Sequence, residues 1–117
     1  MQVVQDIDIH EKNREEVLPG FSEEFPYIAT CAELDKYPDP HVPWHWHRTV
    51  ELFWLKSGTL EYTTPNGKWT IHAGAGGFLN TNVLHASRVI PSGDSTVQML
   101  HLFDPVLLSG WNGPVDC

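Results

Sequence analysis

The chain has 117 residues, with 7 Lys+Arg against 15 Asp+Glu, a formal charge of −8 and a pI near 5.1. That length holds one domain of ordinary globular composition, and an acidic chain without a Lys/Arg cluster argues against direct contact with nucleic acid. No run of about 18 apolar residues exists to span a membrane. Met1 to Asn13 lacks the apolar stretch of a secretion signal, and Cys31 and Cys117 lie too far apart to form a disulfide framework, which fits a reducing cytoplasm.

In chain order, the first feature is the polar stretch Asp6 to Leu18, stopped by Pro19-Gly20. Its few apolar positions leave open a short helix or a mobile arm. Beyond it the chain reads as short β segments between turn signals. Tyr27 to Leu34 is the first predicted strand, and prolines 38, 40 and 43 stiffen the connection after it. Trp44 to Leu55 is β-rich and ends at Ser57-Gly58. Thr59 to Thr64 and Lys68 to His72 form a hairpin, with Asn66-Gly67 expected to supply the positive φ angles of a type I′ turn. Ala73 to Gly77 is a glycine-rich turn without the lysine or helix of a phosphate loop. Phe78-Leu79, Leu84 to Ile90 and Thr96 to Phe103 complete the strands, with a turn at Pro91 to Asp94. Many short strands and at most one short helix predict an all-β sandwich or barrel.

The chemistry concentrates in Trp44-His45-Trp46-His47-Arg48-Thr49-Val50-Glu51. Strand side chains alternate faces, so His45 and His47 share one, and Glu51 joins them if the chain between stays in register. Two imidazoles and a carboxylate on one face suit a divalent first-row metal. His85 is a fourth candidate, which an antiparallel barrel could return beside the first three. On spacing alone, a His-x-His pair is more often a solvent-exposed edge feature than a ligand site, and the tryptophans are equally explained as core or outer sheet face.

Two blocks carry a resemblance. His45-x-His47-x₃-Glu51-x₆-Gly58 resembles the first signature of the cupin superfamily at every fixed position, and Gly74-x₅-Asn80-x-Asn82-x₂-His85 resembles the second. The second departs from the pattern twice: Asn80 stands where proline is usual, and Asn82 where glycine is usual. Asparagine tolerates the left-handed backbone that glycine normally supplies there. The resemblance implies a double-stranded β-helix, a jelly-roll barrel, with His45, His47, Glu51 and His85 as metal ligands and a divalent transition metal (Zn, Ni, Fe or Mn) between them. The flanking phrases, including Val42-Pro43-Trp44, Phe78 to His85 and His101 to Pro105, are similar to the N-terminal sensing domain of AraC-family transcription regulators. Nothing after Phe103 is long or basic enough for the helix-turn-helix region through which such regulators bind DNA.

The expected organisation is an N-terminal arm over residues 1–26, a barrel over 27–104, and a tail over 105–117 leading towards a DNA-binding region that the chain lacks. The implied function is small-molecule sensing by a cytoplasmic regulator. The implied effector is small and polar, such as a sugar, and the implied assembly is a homodimer. Trp44, Trp46, Phe53, Phe78, Met99 and His101 are candidate effector contacts. His101 shares parity with Val97, Met99 and Phe103, which fits either the barrel interior or a position away from it. Arg48 is expected on the outer face, and His10, His41 and His72 in solvent. The alternative is a stand-alone metal-dependent cupin enzyme of dioxygenase or isomerase type, although no separate acid–base pair stands at a recognisable spacing.

Overall fold

The computed structural model describes residues 1–18 and 20–109. The strands are β1 (Gln2–Val4), β2 (Asp8–Ile9), β3 (Glu16–Val17), β4 (Tyr27–Glu33), β5 (His41–His45), β6 (Val50–Ser57), β7 (Thr59–Thr64), β8 (Gly67–His72), β9 (Gly76–Leu79), β10 (His85–Val89) and β11 (Val97–Phe103). A 3₁₀ turn spans Leu34–Lys36, and a four-residue helix, α1, spans Val106–Ser109. Five strands form one sheet in the order β1-β4-β11-β6-β9, and four form a second in the order β5-β10-β7-β8. These are the two sheets of the cupin jelly roll.

Alternation decides which side chains meet between the sheets. On β6, Glu51, Phe53 and Leu55 are buried while Leu52, Trp54 and Lys56 face solvent. Facing strands contribute Ala32, Leu60 and Tyr62, and Leu34 and Val42 complete the core. Leu55 and Leu60 are fully buried, and each such side chain contributes about 2 kcal/mol by leaving water. Apolar residues fill one end of the barrel, and polar ones gather at the other.

The structure departs from the sequence reading in three places. Asp6 to Leu18 contains neither a helix nor a free arm. Residues 2–4 join β4 as a parallel edge strand, and β2 and β3 pair as a small hairpin. With too few apolar positions for a helical face, the segment satisfies its backbone groups on strands instead. The β-rich stretch 44–55 is broken at residues 46–49, where the chain leaves β5 for the other sheet. At the hairpin, Thr64 pairs with Gly67, so Pro65 and Asn66 occupy the tip. Asn66 has no positive φ, and the ring of Pro65 forbids the positive φ that a type I′ turn needs. The helix stop at Pro19 and the tail from residue 110, Cys117 included, lie outside the described residues. No helix among the described residues is long and apolar enough to cross a membrane.

Candidate metal centre

Cross-strand pairing assembles the polar end of the barrel. His85 opens β10 directly opposite His45, the last residue of β5. His47 follows in the crossover, where its carbonyl accepts the Asn82 N–H at 2.8 Å. Asn82 has φ +63°, so asparagine does adopt the left-handed backbone at the position where glycine is usual. Glu51 enters from β6 in the other sheet. All four side chains are buried, between 2% and 5% exposed.

The three imidazoles are oriented alike. His45 Nδ1 lies 2.7 Å from the Pro43 carbonyl, His85 Nδ1 2.8 Å from the Val83 carbonyl, and His47 Nδ1 3.0 Å from the Thr49 carbonyl. A carbonyl only accepts, so for His45 and His85 the contact assigns the ring proton to Nδ1 and turns the Nε2 lone pair inward. His47 Nδ1 also meets the Thr49 hydroxyl at 2.9 Å, and its Nε2 is hydrogen-bonded to Glu51. A ligand atom from each of the three rings lies within 4.8 Å of the other two. Glu51 Oε1 stands 3.2 Å from His47 Nε2 and 3.9 Å from His85 Nε2. Its other oxygen accepts the Tyr62 hydroxyl at 2.9 Å, and Tyr62 is in turn the acceptor for the Gln98 amide. Imidazole Nδ1–H bonds to carbonyls and a hydrogen-bonded carboxylate are the outer contacts that orient metal ligands.

Burial and mutual charge set the protonation of the cluster. Burial pushes His45 down to about 3, with the neighbouring His85 adding to the effect. Burial also lowers His85, against the pull of Glu51. For His47, burial works downward, but the hydrogen bond and charge of Glu51 outweigh it and the net shift is upward. Burial alone would raise Glu51, yet the hydrogen bond from His47 and the nearby imidazoles hold it below its ordinary value. A metal-free cluster would therefore carry its positive charge as a proton between His47 and Glu51. Three inward imidazoles with a carboxylate beside them form a donor set compatible with a divalent ion.

Beside the cluster is a cavity of about 400 Å³. Its polar lining includes Thr30, Tyr62, Ser87 and Gln98, and its acidic groups are Asp6, Asp8, Glu16 and Glu51. Glu16, on β3, was not among the sequence candidates: its segment reads as a polar arm, and only the fold brings it to the cluster. Its carboxyl is pushed up to about 7, first by burial and then by Glu51 and Asp8, against the opposing charge of His47.

The candidate effector contacts are placed elsewhere. Gln98, Leu100 and Leu102 are the β11 residues that line the cavity, which puts Met99 and His101 on the opposite face. His101 Nδ1 bonds the Tyr27 hydroxyl at 2.7 Å there. Trp44 and Phe78 point outward, 39% and 58% exposed. Trp46 donates its indole N–H to the Asn13 carbonyl at 2.7 Å. Phe53 packs behind the cavity, its ring stacked on Tyr62 with centroids 4.5 Å apart. The physical reason is alternation: the buried parity on β11 is even, set by Gln98 and Leu102. His101→Ala should accordingly cost about 1 kcal/mol of stability through the lost Tyr27 bond and leave metal affinity unchanged. A denaturant melt and a calorimetric metal titration measure the two effects. Arg48 is exposed and pairs with Asp104 at 3.5 Å, and His10, His41 and His72 are exposed.

Comparison with known proteins bears on the whole domain. A family model described as AraC-like ligand binding domain matches residues 27–111. No curated protein sequence matches significantly. Among solved structures, the cupin domain of Cnp3 from Schizosaccharomyces pombe superposes with a TM-score of 0.59 at 14% identity, covering 81% of this chain and 69% of that one. The Streptococcus pyogenes protein SPY1581, of unknown function, gives 0.53 at 13% identity over 68% and 63% of the two chains. Bacillus subtilis oxalate decarboxylase, described by its Mn(II) centres, gives 0.50 at 14% identity over 68% and 26%. At such identities the likeness concerns the fold. The chain spans less than two thirds of the Streptococcus protein and about a quarter of the decarboxylase.

Proposed function

The chain belongs to the AraC-like ligand binding domain family, and on that premise we propose that it is the effector-sensing domain of a transcription regulator, with a divalent metal ion held by His45, His47, His85 and Glu51. The observation that carries the metal is the common orientation of the three imidazoles, each turned by a backbone carbonyl so that Nε2 points inward, towards Glu51 for His47 and His85 and towards Glu16 for His45. Zn, Ni, Fe and Mn all accept nitrogen and carboxylate donors, and the shared fold with an oxalate decarboxylase that has Mn(II) centres keeps Mn among them.

The effector enters the cavity beside the cluster. Its lining holds four carboxyl groups and no Lys or Arg, which favours a hydroxyl-rich molecule, such as a sugar, over an anion. Thr30, Tyr62, Ser87 and Gln98 offer it hydrogen bonds. DNA would be bound by a separate helix-turn-helix region of the regulator, since this domain is acidic, and the domain would act in the cytoplasm as a homodimer. Residues 2–4 pair with β4, and residues 14–16 with Trp46, so the N-terminal segment lies on the barrel.

The test is a thermal-shift screen of neutral sugars and polyols against the metal-loaded chain, with Glu51→Ala and His47→Ala alongside. Effector-dependent stabilisation of the wild type, weakened at least tenfold in apparent affinity in both variants, is the expected outcome. Equal affinity in all three chains would remove the cluster from effector binding. Turnover of a candidate compound, lost on chelation and restored by iron or manganese, would replace sensing by enzyme function.

A further inference from the structure

Glu16 belongs to neither signature block, yet the fold fastens it to the histidine cluster. Residues 13–16 run beside residues 44–46, the segment that bears His45, and are clamped there by backbone and side-chain bonds. Trp46 N–H donates to the Arg14 carbonyl at 3.1 Å, and Glu16 N–H to the Trp46 carbonyl at 2.8 Å. The Trp46 indole reaches the Asn13 carbonyl at 2.7 Å, and Arg14 Nε reaches the Trp44 carbonyl at 2.9 Å. The backbone of Glu16 is thereby held one residue from His45, with its side chain turned to the cluster and only 18% exposed.

Glu16 lines two cavities at once. It shares the barrel cavity with His45, Glu51 and His85, and the outer cleft with His47. It therefore stands where the cluster would otherwise open. Its Oε1 faces His45 Nε2 at 3.7 Å, too far for a hydrogen bond, and the His45 proton is engaged at Pro43 through Nδ1. Among the described residues no hydrogen-bond donor reaches this carboxylate. Two acceptors facing one another in a shielded place are unfavourable unless a proton or a metal cation lies between them. Donor atoms around one ion stand roughly 3 Å apart, a spacing that this pair, like Glu51 with His47 and His85, approaches.

We infer that Glu16 is a further ligand of the ion held by His45, His47, His85 and Glu51, so that the N-terminal hairpin is part of the metal centre. The inference rests on the proposed metal site. It adds a second carboxylate, enough to balance a divalent charge, and it makes metal uptake order the hairpin as well as the barrel end.

The experiment is Co(II) titration of the wild type, Glu16→Gln and His47→Ala, followed by calorimetry and visible absorption, with hydrogen exchange over residues 8–17 measured with and without the ion. Glu16→Gln should bind Co(II) at least tenfold more weakly than the wild type, with an altered ligand-field spectrum, and should lose the metal-dependent protection of the hairpin. A Glu16→Gln chain matching the wild type in affinity, spectrum and protection overturns the role of Glu16 and leaves the histidine site standing. A folded wild type that takes up no Co(II), Zn(II) or Mn(II) overturns the metal site itself and the Glu16 assignment with it. Should Glu16→Gln fail to fold, Glu16→Asp serves the same comparison: it keeps the charge but withdraws the carboxylate by one methylene, and should bind with reduced affinity and an altered spectrum.

Discussion

His85→Ala is expected to weaken metal binding by at least a hundredfold while leaving the metal-free chain folded. His85 is directly opposite His45 across the β5–β10 pair and reaches Glu51 at 3.9 Å, so its loss removes one of the three inward imidazoles. A structural zinc site is worth about 10–16 kcal/mol in total, so a single ligand carries on the order of 3 kcal/mol, which is more than two decades in affinity. The metal-free chain loses little, because removing one buried lone pair also lessens the crowding of acceptors. Calorimetry measures the affinity, and chelation gives an independent reading. An ion present at about a thousandfold its dissociation constant stabilises a fold by roughly 4 kcal/mol, about 10–20 °C in Tm for a small domain. The wild type should lose that increment on chelation, and His85→Ala should show almost none of it. Equal chelation shifts in both chains would place the ion elsewhere.

Gly58→Ala should destabilise the fold strongly, by about 4 kcal/mol. Gly58 joins β6 to β7 at φ +84°, and a Cβ built on it would collide with Thr96 Oγ1 and lie 2.7 Å from Thr96 Cα. The neighbour cannot retreat, because Thr96 N–H is bonded to Asp35 Oδ2 at 2.6 Å and its carbonyl accepts the Leu34 N–H at 3.0 Å. Strained backbone costs about 1–3 kcal/mol and overpacking a similar amount, and here they add. Gly93→Ala is the control: its φ is +82°, but nothing lies within 4 Å of the added Cβ, so only the backbone strain remains. Denaturant melts of both variants should differ by about 2 kcal/mol or more. Equal losses would mean that Thr96 yields and that the contact does not decide the requirement for glycine.

Gly58 and His85 are both legible in the sequence as signature positions, because motif spacing records local constraints. The alternation of β6 and the return of His85 opposite His45 follow from strand geometry and the ordering of hairpins, whereas His47 reaches the cluster from the crossover between β5 and β6. The sequence alone therefore determined an all-β cupin barrel like the AraC ligand-binding domain, and the four residues that gather at its polar end.

The features it left open depended on contacts between distant segments. Spacing alone does not say which parity of β11 faces inward. Packing of Gln98 and Leu102 between the sheets decided it, and sent His101 and Met99 to the opposite face. The turn at Pro65-Asn66 hinged on register, since moving the pairing by one residue changes which side chains sit at the tip. Tyr62 and Gln98, the chain of bonds behind Glu51, come from two further strands and carry no motif. Residues 2–17 lack a periodic apolar pattern because backbone pairing, with β4 and with residues 44–46, holds them in place. Such pairing leaves almost no trace in side-chain identity. Glu16 therefore reads as one more acid in a polar arm, and only the tertiary structure sets it against His45.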